Sequence, residues 1–122
     1  YIALSHLEDE RYKKLSELIQ NKTLQQFDAL FFASDFYAVN SMNFLYERGI
    51  KTPDNISIVG FDDNLLSKES RPKLTTVKQN FFKKGKLSLS LLKCLISNEP
   101  VNEKIITLPV ELILRESVSS KK

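Results

Sequence analysis

The spacing of apolar positions changes several times along this chain, and each change marks a new element. From Glu10 to Asn21, Tyr12, Leu15, Leu18 and Ile19 recur at steps of three and four, the period of one helical face. Phe27 to Ala33 is apolar on both alternating faces, which predicts a parallel strand covered by helices on each side. A helix is predicted from Asp35, whose carboxylate can cap free first-turn N–H groups, to about Arg48, with Ala38, Val39, Met42, Leu45 and Tyr46 on one broad face and Gly49 closing it. Turn residues Pro53-Asp54-Asn55 lead into a second buried strand, Ile56 to Phe61. After a polar loop to Pro72, Leu74 to Val77 reads as a short strand, and Asn80 can cap a helix from Phe81 to about Ser97. Ile105 to Leu108 and Val110 to Leu114 read as two strand pieces split by Pro109, and Tyr1 to Leu4 as the end of another strand.

Strand and helix thus alternate with short links, the signature of an α/β fold with an open, doubly wound, mainly parallel sheet. The size and mixture of residues agree with one soluble domain or part of one: 122 residues, 42% hydrophobic, 27% charged. The longest apolar stretch near the end, Leu87 to Ile96, is broken by Ser88, Ser90 and Lys93, far short of the roughly 18 apolar residues of a bilayer span. Tyr1 to Leu7 lacks the basic and apolar regions of a secretory signal, and with no starting Met the chain is expected to be an excised piece. The single cysteine, Cys94, rules out an internal disulfide, suits a reducing cytoplasm, and among leucines reads as a small buried hydrophobe. The net charge of +3 comes from scattered lysines, weak support for nucleic-acid contact by this segment.

In such sheets ligands bind beyond the carboxyl ends of the strands. Those ends bring Ser5-His6-Leu7, Ser34-Asp35 and Asp62-Asp63 to one rim, where an imidazole, a hydroxyl and carboxylates can hydrogen-bond a polar small molecule. Catalysis is disfavoured. Asp62 and Asp63 are adjacent, so on extended backbone they point to opposite sides and cannot flank one bond. His6 is the only histidine, and no Gly-x-Ser-x-Gly elbow accompanies it. One His, one Cys and dispersed carboxylates show no metal-ligand spacing, and three glycines form no phosphate cradle, so no metal or cofactor is expected. The bland alternatives stay open at this point: a cap for Asp35, a solvated loop carboxylate for Asp62, an exposed loop histidine for His6, and ordinary core for Val39, Met42 and Tyr46.

The ordered blocks Asp28-Ala29-Leu30-Phe31-Phe32-Ala33-Ser34-Asp35, Pro53 to Asp63 ending in Val-Gly-Phe-Asp-Asp, Pro72 to Gln79 containing Leu-Thr-Thr-Val, and Leu112 to Ser117 resemble the LacI/GalR family of bacterial transcription regulators over nearly the whole chain. The resemblance implies a type I periplasmic-binding-protein-like fold, of which this is an incomplete, C-terminal part. It implies a cytoplasmic, non-enzymatic homodimer that binds a small polar effector, a sugar by preference, and operator DNA through an upstream helix-turn-helix headpiece, with no membrane partner. Position by position, Asp62 matches the effector-binding acid, Ser34 a neighbouring polar contact that is often Asn in relatives, and His6 an aromatic that packs on the ligand. Val39 and Met42 match positions of a helix used at the dimer interface. The chain is expected to cross between subdomains near Gln79 and Pro109, giving 1–79 to the C-terminal subdomain, 80–108 to the N-terminal one and 109–122 to the return and tail. The helix from Phe81 would then lose its usual neighbour, which predicts an oligomer or a displaced helix. The alternative is a secreted sugar-binding protein of a transport system with the same fold.

Overall fold

A computed structural model of the chain describes residues 5–101, 103 and 105–120. Helix α1 (Glu8–Gln20) is followed by a 3-10 turn (Leu24–Gln26), strand β1 (Ala29–Phe31), helix α2 (Asp35–Tyr46) and strand β2 (Ser57–Asp62). A short helix α3 (Leu65–Glu69), strand β3 (Thr75–Lys78), helix α4 (Phe81–Ile96) and strand β4 (Glu111–Ile113) complete the order. The sheet runs β1-β2-β3-β4, with the first three strands parallel and β4 antiparallel to β3. The predicted strand at Tyr1 to Leu4 lies outside the described residues.

Alternation along the strands sorts the sheet into two faces. Ile58 and Phe32 point to α2 and join Ala38, Val39, Met42, Leu45, Leu18, Leu24, Ile56 and Leu74 in one core. The odd-numbered set points away: Phe31 is 63% exposed and meets Phe61 edge-on, with ring centroids 6.4 Å apart. The strand expected to be covered on both sides is therefore covered on one side among the described residues. Apolar alternation reports that a residue suits burial; it does not supply the neighbour.

Val39 and Met42, expected at a dimer interface, are 8% and 2% exposed within this core, so their surface is already used inside one chain. Of the two strand pieces around Pro109 only the second forms, in register with β3 through Val77 and Leu112. α4 forms at the predicted place with Asn80 as its cap, its Oδ1 accepting from Lys83 N at 2.9 Å, but none of its residues is buried and Phe82 is 84% exposed. Cys94, expected inside, is only half-buried for the same reason: the helix carrying it buries none of its residues.

Candidate functional site

Because β1, β2 and β3 are parallel, their carboxyl ends share one edge, where Ser34 follows β1, Asp62 ends β2 and Gln79 follows β3. Ser34 has extended backbone, and its Oγ accepts from Phe36 N at 3.3 Å, which makes Ser34 the α2 cap. That corrects the assignment of the cap to Asp35. Asp35 is the first helical residue and is fully buried; it accepts from Thr76 Oγ1 at 2.5 Å and from Asn64 N at 2.9 Å. It thereby ties the start of α2 to β3 and to the turn after β2. Such closeness requires Gly60: a Cβ there would overlap the Asp35 carboxylate and sit 2.7 Å from Leu74 Cδ2.

The turn after β2 is strained. Asp62 has φ 125° and Asp63 φ 57°, left-handed backbone that non-glycine residues adopt at a cost and that needs surrounding contacts to hold it. Those contacts are on hand. Asp63, with a side chain 8% exposed, pairs with Arg115 and lies 3.7 Å from Lys68. Arg115 also donates to Ser67 Oγ at 3.1 Å and to Leu74 O at 2.8 Å. Asp62 is half-buried and directed elsewhere: its Oδ1 accepts from Gln79 Nε2 at 3.0 Å. The two carboxylates do part company, as adjacency implies, but through a left-handed turn rather than along extended backbone. One is neutralised structurally, and the other keeps an oxygen, Oδ2, for a donor from outside.

His6 is exposed in the segment before α1, and its carbonyl accepts from Arg11 Nη1 at 3.2 Å. Arg11 is 1% exposed, with its guanidinium over the Tyr12 ring at 5.2 Å and over Tyr37, in the first turn of α2, at 4.9 Å. Among the described residues its Nε meets no hydrogen-bond partner. Arg11 connects the His6 segment to the helix that Ser34 caps, and the faces of the two tyrosine rings receive its buried charge. Sequence reasoning missed it. The available signal was phase: Arg11, Leu15 and Leu18 share one face, with a charge at the place of an apolar residue.

The sheet edge carries the Ser34 hydroxyl, the half-engaged Asp62 carboxylate and the Gln79 carboxamide, which complement the alternating donors and acceptors of a polyhydroxylated molecule. Among the described residues no three His, Cys, Asp or Glu side chains gather as metal ligands would. A cleft of about 240 Å³ between α1 and α2, lined by Glu8, Tyr12 and Phe44, and one of about 470 Å³ at the far end of α2, lined by Tyr46, Thr52 and Arg71, do not include Ser34 or Asp62.

Residues 3–118 match the family described as periplasmic binding protein-like domain. A relative from Clostridium butyricum, the HTH-type transcriptional regulator MalR, is 35% identical over 106 residues, covering 87% of this chain and 31% of the relative. The transcriptional regulator CelR in complex with cellobiose superposes with TM-score 0.79 at 26% identity, over 93% of this chain and 34% of that one. A periplasmic binding protein/LacI transcriptional regulator from Alkaliphilus metalliredigens QYMF, complexed with D-xylulofuranose, gives TM-score 0.72 at 30% identity, over 81% and 37%. The chain spans about a third of the length of the curated relatives it matches.

Proposed function

The chain belongs to the periplasmic binding protein-like domain family, in its LacI/GalR branch, and from that premise we propose that it is effector-binding machinery of a bacterial transcription regulator. Its sheet edge takes a small polar metabolite, a sugar by preference, and carries out no chemical step. In the intact protein a homodimer would bind operator DNA through helix-turn-helix headpieces, and effector binding would change operator affinity by roughly 5–150-fold, the usual range of allosteric coupling. Such a regulator works in the cytoplasm. Residues 1–79 and 109–122 would form parts of one subdomain, with 80–108 reaching into the other.

The observation that carries this reading is the strained turn at Asp62, held from behind by Asp63 and Arg115 while one Asp62 oxygen stays unused at the strand end beside Ser34. Strain maintained by that many contacts is the mark of a presented group. Ser34 contributes a hydroxyl proton, and His6 a ring at the rim. The ligands of two structural relatives, cellobiose and D-xylulofuranose, agree with a sugar. Calorimetry on the intact protein with a sugar panel tests it: Asp62→Ala should weaken binding at least about tenfold, the scale of one hydrogen bond to a charged group. Binding unchanged in that variant removes Asp62 from the site.

A further inference from the structure

We infer that Gln79 is a positioning residue for Asp62 and, through Lys84, ties that carboxylate to the first turn of α4. The inference rests on the reading of Asp62 as an effector ligand for its functional half, while its structural half stands on geometry.

Gln79 lies in the two-residue link between β3 and α4. Its Nε2 donates to Asp62 Oδ1 at 3.0 Å, and its Oε1 accepts from Lys84 Nζ at 3.3 Å. An ammonium only donates and a carboxylate only accepts, so the two partners together fix which way the carboxamide faces. Remove Lys84 and the amide loses its orienting partner; remove Gln79 and Asp62 loses the donor that holds one of its oxygens. Lys84 is also bound into the link by its backbone, whose N–H donates to Asn80 O at 2.9 Å, while Asn80 caps the helix through Lys83 N. Link and first turn therefore behave as one unit. Because no α4 residue is buried, side-chain packing does little to set the helix's relation to the sheet, and the link carries that role. The three side chains Asp62, Gln79 and Lys84 thus form a continuous path from the unused carboxylate oxygen to a helix whose own residues are not at the sheet edge.

Two measurements on the intact protein test the path. The first needs no ligand. Hydrogen–deuterium exchange over residues 80–86 should speed up about twofold or more in Gln79→Leu, in Lys84→Met and in Asp62→Ala, as expected when a local tether is lost. The second is a double-mutant cycle on sugar affinity, with cellobiose, D-xylulose and D-ribose as probes. Lys84→Met should weaken binding about threefold to tenfold, less than direct loss of the Asp62 carboxylate because it acts only through the Gln79 amide, and should have no further effect in a Gln79→Leu background. A general loss of structure would not cancel in that way. Additive or absent effects in the cycle, where the wild type binds and Asp62→Ala does not, overturn the functional half. Unchanged exchange in all three variants overturns the path itself. If the wild type binds none of the probes, the sugar reading of the site falls, and the exchange result decides the path without it.

Discussion

Replacing Gly60 by Ala adds one methyl group at the most crowded point behind the site. Gly60 lies on the α2-facing side of β2 in register with Thr76, and a Cβ there would overlap the Asp35 carboxylate and lie 3.3 Å from the Asp35 Cα. Neither neighbour can give way cheaply. Asp35 is fully buried at the start of α2, and its oxygens are committed to Thr76 Oγ1 and Asn64 N. Overpacking costs about 1–3 kcal/mol, and losing one hydrogen bond to a buried charge about 1.5–3 more, so the substitution should destabilise by about 2.5–6 kcal/mol. Against a total stability of about 5–15 kcal/mol that is a large fraction. Urea denaturation followed by circular dichroism should show the midpoint falling by at least about 1 M, given a slope of about 1–3 kcal/mol per M. The other two glycines serve as controls. An added Cβ at Gly85 meets nothing within 4 Å and sits inside α4, so Gly85→Ala should raise helicity, with a local gain of about 0.5–1 kcal/mol. Gly49 is equally open but has φ +77°, so Gly49→Ala should cost about 1–2 kcal/mol from backbone strain. A Gly60→Ala protein within about 0.5 kcal/mol of wild type would refute the claim that close approach of Asp35 shapes this edge.

Two further outcomes follow from buried charge and from titration. Arg115→Gln leaves the Asp63 carboxylate without its main partner and should destabilise by about 3 kcal/mol, while Asp63→Asn combined with Arg115→Gln should lose less than the sum of the single changes; thermal melts of the four proteins check this. Tyr12 has its hydroxyl pKa raised, first by desolvation against the α1–α2 interface and then by Glu8. A raised pKa in the folded state means the fold holds that proton more tightly than the unfolded chain. The stabilisation is therefore complete below the ordinary tyrosine value of 10.0 and is lost as pH climbs from there through the raised value. Tyr12→Phe should flatten that alkaline fall in stability, measured by denaturation between neutral pH and strongly alkaline buffer; an unchanged slope would remove Tyr12 as its source.

The period of apolar residues was enough to locate α1, α2, α4, β2 and β3, because a three-and-four step or a β-branched run describes one element's own geometry. The rim was legible for a similar reason: in a parallel sheet, whatever follows each strand comes to the same edge, so Ser34 and Asp62 could be placed there from their order in the chain. Partners at long range were not legible. Nothing local to Asp35 shows that it binds a threonine 41 positions later, and nothing local to Asp63 shows that an arginine 52 positions later neutralises it. Val39 and Met42 carry the same lesson in reverse, since an apolar helix face has the same spacing whether a core or a second chain covers it.

What the sequence by itself determined is the set of elements and the edge on which polar side chains collect, since both depend on backbone periodicity and chain direction. Tertiary structure decided which carboxylate is locked and which is offered, that an arginine in phase with leucines lies buried between two tyrosine rings, and that among the described residues one sheet face and one helix lack a covering neighbour. Those outcomes depend on contacts between residues far apart in sequence, whose energies exist only after the chain has brought them within a few ångströms.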